Sequence, residues 1–481
     1  MSGDGGDLGS VDHQRCGRSE NPSHGARSWN VRVSADDRGI DFSFHRHAAN
    51  KPRPFSIGVP EAVTMTNHQP SDASARQLED WRAALLLSVG LLGMLSAAAS
   101  SAQAGGLYIQ EFANPSMGTA NAGAQAWANG AGTAWSNPAG MARLERSEIS
   151  VGVGVARSKL QFDADADTPT GGNDGGDAGS TAPLGQINGV YKFNDRWSAG
   201  ISVGGITGAA IDYRGGWAGR YQAEDVSLTV IGVNPSLAFK VTDWLSIGGG
   251  PVFSYGTLDY ELAAPPPAGT GQVDIEDADD TDITGRVGAL FSLGEQTRLG
   301  VVYQSETKLN MEGNTTVNPV DLDFNASLKL IFPQYVQVGG YHQIDDRWAL
   351  LASARWEDWS SFDEIPVSTE RGDAAIPRNW NDTYGVNLGV HFRATDELLL
   401  QAGFAYDTSP VSDGNRTADM PVDRQIRVAA GLQYSLSERA TVGGSLVYAD
   451  LGDADIDADT VRGSYDNNQA IFAAVNFAWK F

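Results

Sequence analysis

The chain has 481 residues, 57 of them glycine, with one cysteine and a formal net charge of −25. The length suits several ordinary domains or one large β architecture, and glycine at this level without a G-X-Y period excludes collagen. The acidic balance argues against a nucleic-acid partner, and Cys16 alone forms neither an internal disulfide nor a cysteine metal cluster.

Residues 1–64 are polar, contain Arg and Pro, and lack any period. They read as a non-structural extension, either a mis-assigned start or a segment that is removed. Met65 offers a second possible start. Arg76 and Arg82 precede the one long apolar run, 83–99, and Ala102-Gln103-Ala104 comes after it. A positive region, a short apolar core and a small-x-small site make 65–104 a signal peptide, with cleavage expected after Ala104. An uncleaved anchor is the alternative, but the core is short for a ~20-residue span and no charged stop follows it. Beyond 104 only His342 and His391 remain, so no metal site and no cofactor is expected.

Residues 105–145 do not alternate and are rich in Ala, Gly and Asn, with few charges. A disordered tail is normally more charged and less apolar. The segment therefore reads as a compact hatch that plugs a lumen too wide for wall side chains to fill, with a flexible tail as the alternative.

From 146 to 481 the period is two. Tyr384, Val386, Leu388, Val390 and Phe392 share one face, and Thr383, Gly385, Asn387, Gly389, His391 and Arg393 the other. Ile471, Ala473, Val475, Phe477, Trp479 and Phe481 repeat the pattern at the end of the chain. Short turns fall at Asn194-Asp195, Thr242-Asp243, Gly294-Glu295-Gln296, Asp345-Asp346, Ala394-Thr395-Asp396 and Ser437-Glu438-Arg439. Longer acidic or Gly/Pro-rich stretches, at 163–183, 213–224, 263–281, 313–322, 364–380, 409–422 and 453–467, read as loops. Alternating short and long connections are the outer-membrane pattern and predict an all-β fold, a 14-stranded antiparallel transmembrane β-barrel. The parity requires 323–344 to be one strand, with Pro333 at a bulge or local break.

The segment from 105 to 141, with Glu111-Phe112, Gly118, Ala122-Gly123, Ala131-Gly132 and Asn137-Pro138-Ala139, resembles the hatch of the FadL/TodX-type transporters of hydrophobic compounds. Leu330-Ile331-Phe332-Pro333, Trp380, Asp407-Thr408-Ser409-Pro410-Val411, Arg416, Pro421, Asp423-Arg424 and Tyr448 extend the resemblance over roughly 105–481. It implies a barrel plugged by the hatch, passive uptake of long-chain fatty acids or aromatic hydrocarbons, and lateral release at a kink in the third strand. That strand is expected near 196–213, where Gly204, Gly205 and Gly208 allow a bend, and Asn137, Pro138 and Ala139 are expected beside it. Leu107, Tyr108, Ile109 and Phe112 are expected to line the binding pocket.

By alternation Arg286, Arg355, Glu357, His391, Arg393 and Arg427 face the lumen. Arg393 and Arg427 are candidate partners for a fatty-acid carboxylate through charge-assisted hydrogen bonds, and paired charges are the plainer reading. Asp453, Asp455, Asp457 and Asp459 mimic the start of a calcium loop but lack its glycine and its final Glu, so solvated outer loops are expected there. Expected partners are hydrophobic small molecules, outer-membrane lipid and lipopolysaccharide, and the barrel-assembly machinery through the carboxy-terminal Phe481. A monomer without enzymatic activity is expected, and a general porin or a structural barrel is the alternative function.

Overall fold

The computed structural model describes residues 107–481, except 265–270, 319–321 and 371, and the backbone of 30–36 and 39–45. The latter segments form a hairpin of their own, in which β1 (Asn30–Asp36) pairs with β2 (Gly39–His45). The segment 1–64 reads from the sequence as a non-structural extension, and these fourteen residues are its described part. The sequence Val31, Val33, Ala35 and then Ile40, Phe42, Phe44 does alternate, over a stretch shorter than the whole extension. The expected signal peptide lies outside the described residues.

Nineteen further strands join in one closed antiparallel sheet. In chain order they are β3 (Glu148–Ala164), β4 (Thr181–Lys192), β5 (Trp197–Asp212), β6 (Asp225–Lys240), β7 (Leu245–Ala263), β8 (Gln272–Ser292), β9 (Thr297–Gln304), β10 (Thr307–Asn318) and β11 (Leu322–Phe332). Then come β12 (Tyr335–Gln343), β13 (Trp348–Glu357), β14 (Glu364–Thr369), β15 (Gly372–Pro377), β16 (Thr383–Arg393), β17 (Leu398–Asp407), β18 (Gln425–Ser435), β19 (Ala440–Asp450), β20 (Ile456–Asp457) and β21 (Arg462–Lys480). Closure comes where β21 pairs with β3, from Lys480↔Glu148 to Gly463↔Ala164. Four barrel strands are interrupted, β9 with β10, β11 with β12, β13 with β14 and β15 with β16, and the two-residue β20 lies in an outer connection, so the nineteen segments make the fourteen wall strands that the turns predict. Each of the six expected short turns lies between two strands.

The interruptions line up. Gln304 pairs with Tyr335, Tyr335 with Glu357, and Glu357 with Thr383. Beyond that row lie Ser305-Glu306, Pro333-Gln334, the turn at 358–363 and the link at 378–382. Past it, β10, β11, β14 and β15 continue as a four-stranded sheet. Pro333 thus sits at the break its missing N–H demands.

Four expected loops are largely strand. The acidic run Asp274–Asp282 lies in β8, 313–322 holds the end of β10 and the start of β11, 364–380 holds the β14–β15 hairpin, and 453–467 holds β20 and the start of β21. Polar residues there alternate on both faces of strands that extend past the membrane, so their charge conceals the period.

The outward face suits lipid. Val386, Leu388, Val428, Leu446 and Val475 are about half exposed. Trp197, Trp244, Trp348 and Trp479 ring the short-turn end, and Tyr303, Tyr384, Tyr406 and Tyr448 the other. On β16 the two girdles, Phe392 and Tyr384, are roughly 26 Å apart along the strand, about the nine residues with which a tilted strand crosses an outer-membrane apolar band.

Candidate functional site: the filled lumen

Residues 107–145 fill the lumen. Two short helices, Ala124–Trp127 and Thr133–Ser136, and a 3-10 turn, Pro138–Arg143, pack against the inner wall. Asn137-Pro138-Ala139 has a full physical account. The Asn137 side-chain oxygen accepts from the Ala139 N–H and caps the turn, and Pro138 takes the first position, where no N–H is needed. The Asn137 Nδ2 donates to Gln125 O at 2.8 Å within the hatch and to Ala289 O of β8 at 3.1 Å. A side chain at Gly248 would collide with Ala139, at Gly288 with Asn137, and at Gly300 with Gln125. Wall glycines on three strands therefore form the seat of this motif. Asn137 and Ala139 are seated against β7, β8 and β9, and the turn Pro138–Arg143 that the motif opens also packs on β5 and β6, the third and fourth barrel strands. The cap needs close backbone approach on a wide strip, which these glycines provide.

The third strand, β5, loses its regular pairing midway. Its pairing with β4 ends at Gln186↔Gly204. Its pairing with β6 shifts register between Gly205 and Thr207, so Ile206 is an extra residue, a β-bulge. Ser202, Gly204 and Ile206 point inward before the bulge, and Thr207, Ala209 and Ile211 after it. The start of the hatch takes the freed backbone. Tyr108 bridges Thr207, the Ile109 N–H donates to Ile206 O at 3.4 Å, and the Thr207 hydroxyl donates to Leu107 O. Phe112 lies on Gly205, where any side chain would strike its ring. Leu107, Tyr108, Ile109 and Phe112, read from the sequence as pocket-lining, are all buried at this bulge.

Above the bulge the lumen is apolar. One buried cluster joins Leu107 and Tyr108 to Val226, Leu228, Leu258, Leu309, Met311, Leu328 and Leu330 of the wall. Its roof is aromatic: Trp359 lies 5.1 Å from Trp380 and 5.6 Å from Tyr108, and Phe362 lies 4.9 Å from Trp380. The Tyr108 hydroxyl donates to Pro333 O at 2.7 Å, at the level of the strand breaks. The space left between these side chains is about 20 Å³, hardly more than one water. Below the bulge, beside the hatch, a cavity of about 230 Å³ is lined by both polar and apolar groups.

A chain of buried charges links hatch to roof. Glu111 pairs with Arg427 at 3.1 Å, Arg427 with Asp407, Asp407 with Arg355 at 2.8 Å, and Arg355 with Glu357 at 3.0 Å. Glu357 in turn accepts from Trp359 Nε1 at 2.8 Å and from the Thr383 hydroxyl at 3.0 Å. Arg427, a sequence candidate for holding cargo, is thus engaged by two carboxylates. Alternation revealed its direction but not its partner Glu111, which lies 316 residues away. Arg393 also points inward but sits at the short-turn end, exposed, at the mouth of the lower cavity. Arg286 gives its donors to Gln304, Trp135 O and Tyr335. His391 packs on Trp127 and Tyr341 and meets Gln401. A further buried pair, Arg378 with Asp419, was not legible, because both residues lie outside the alternating strands.

A lipid-facing fourteen-stranded barrel with a folded plug defines an outer-membrane transport protein. The chain belongs to the family of outer membrane protein transport proteins (OMPP1/FadL/TodX), whose profile matches residues 95–481. A long-chain fatty acid transport protein of Salmonella typhi is 25% identical over 413 residues, covering 76% of this chain and 91% of its own. Outer membrane protein P1 of Haemophilus influenzae is 22% identical, covering 72% and 86%. Among solved structures, a FadL homologue of Pseudomonas aeruginosa superposes with a TM-score of 0.71 at 23% identity, covering 79% of this chain and all of that one. The toluene transporter TbuX of Ralstonia pickettii gives 0.59 at 20% identity, covering 76% and 97%. The protein resides in the bacterial outer membrane.

Proposed function

We propose that this protein carries hydrophobic compounds, of the class of long-chain fatty acids or aromatic hydrocarbons, passively across the outer membrane. The carrying observation is the buried apolar cluster inside the barrel, directly above the place where β5 leaves β4. A water-filled pore does not serve such cargo, because each methylene exposed to water is unfavourable by ~0.8 kcal/mol. Cargo binds among the apolar side chains and leaves sideways between β4 and β5, near Gly204, Gly205 and Gly208, once Leu107–Phe112 moves. The relatives named for fatty acids and toluene support this range of cargo.

Deleting Ile206 tests the route. The deletion removes the extra residue and lets β5 stay in register and pair with β4 beyond Gly204. Uptake of a fatty acid and of toluene should fall several-fold at equal surface abundance. Wild-type uptake of both overturns the lateral route. Sugar-driven swelling of liposomes by the unaltered protein, at the rate of an open porin, overturns the transporter reading itself. We also propose that Phe481 serves recognition by the assembly machinery, that the acidic outer strands face lipopolysaccharide, and that the protein works as a monomer. Phe481→Ala should reduce the heat-modifiable barrel in the membrane fraction, and an unchanged amount counts against that role.

A further inference from the structure

The apolar space above the hatch has one polar end. Leu107, Leu228, Leu258, Leu328, Ile365 and Met420 line it, and Arg378 with Asp419 closes it. Both charged residues are almost fully buried, at 1% and 2% exposure. The pair is bidentate: Arg378 Nη1 donates to Asp419 Oδ1 at 2.9 Å and Nη2 to Oδ2 at 2.5 Å. Nη1 also donates to the Thr417 hydroxyl. The Tyr260 hydroxyl lies beside the pair and donates to Gln222 O. The positive charge that would attract an anion is thus cancelled in place by two parallel bonds, the geometry in which Arg and a carboxylate hold each other best.

A ligand meets this arrangement in two ways. An anionic headgroup would leave an uncompensated negative charge beside Asp419 in an apolar enclosure, the costly case for buried ions. An uncharged headgroup meets no such penalty. At the polar end it meets the Tyr260 hydroxyl and the neutralised Arg378–Asp419 pair, which a hydroxyl, ester or ketone oxygen joins without adding charge.

We infer that the cargo of this barrel is an uncharged lipophile, with at most a neutral hydrogen-bond acceptor at its polar end, and not the carboxylate anion of a fatty acid. This rests on the transport reading above and narrows it. It moves the cargo away from Arg393 and Arg427, since Arg427 is committed to Glu111 and Asp407 and Arg393 lies at the far mouth.

Dodecanol and dodecanoate, equal in chain length, separate the alternatives. Their binding to the full protein in lipid nanodiscs is read by tryptophan fluorescence, since Trp359 and Trp380 belong to the same cluster. At about pH 8, where the ligand carboxyl is ionised, dodecanol should bind at least about tenfold more tightly. Asp419→Asn keeps the size and removes the cancelling charge, so dodecanoate should gain about tenfold or more relative to dodecanol. Heat-shifted mobility verifies the folded barrel. Should the variant fail to fold, the unaltered protein still decides. Its affinity for dodecanoate should rise about tenfold as pH falls to about 4, because the ligand becomes neutral while Arg378 keeps Asp419 ionised. Equal binding of both ligands at pH 8, or affinity for dodecanoate that ignores pH, overturns the inference and leaves transport standing. Failure to bind dodecanol, dodecanoate and toluene alike overturns both.

Discussion

Arg427 is enclosed in the lumen with Glu111 on one side and Asp407 on the other. A buried ion pair adds little over an apolar pair of the same shape, but losing one partner strands the other charge, at a cost of roughly 3–5 kcal/mol. Arg427→Leu strands Glu111 inside the hatch and leaves Asp407 on the wall with Arg355 as its one remaining partner. The expected result is a hatch that loosens while the strands stay closed. Trypsin should cut at Arg143 in the variant before it cuts the wild type, and bilayer recordings should show transient openings. Equal digestion and a quiet baseline would mean that the pair does not hold the hatch. The Glu357 end of the same chain accepts from Trp359, so the roof and the plug share one set of charges.

At the scale of elements, strand order and turn positions were legible because a strand with one lipid face and one lumen face must alternate. The break at Pro333 was legible too, from the missing N–H alone. The outer extensions were not: in β8, Asp274, Glu276, Asp277, Asp279, Asp280 and Asp282 place charge on both faces, so no period of two marks a strand there. The hatch was legible as a unit but not in its seating. Small residues such as Gly118, Ala122 and Ala139 predict close approach, yet the wall glycines that receive them lie on distant strands. The charge network shows the same limit: direction follows from alternation, whereas partners follow only from the closed fold. The hatch makes a direct prediction as an element. Deleting 107–140 leaves the hydrogen-bonded wall complete, so the barrel should still insert, and its bilayer conductance should rise sharply. Unchanged conductance would mean that the segment does not close the lumen.

The whole molecule has a wall closed by continuous pairing, yet its loop end departs from that regularity along the row Gln304, Tyr335, Glu357 and Thr383. Beyond it, β10, β11, β14 and β15 bond mainly to one another and to β8. A row of aligned breaks acts as a crease. Bending along it disturbs side-chain packing at Pro333 and the aromatic roof but ruptures few ladder bonds, so the two regions can unfold with separate free energies. Native-state amide exchange should therefore resolve two cooperative units. Amides of β10, β11 and β14 should exchange together and earlier, and those of β9, β12, β13 and β16 should track global unfolding. A single exchange class across both sets would mean that the breaks are only local kinks. The same crease assigns a thermodynamic place to cargo capture. On the proposed reading, a lipophile that wedges apart Leu309, Leu328 and Ile365 would work against the outer unit alone and leave the membrane-spanning wall its full stability throughout each passage.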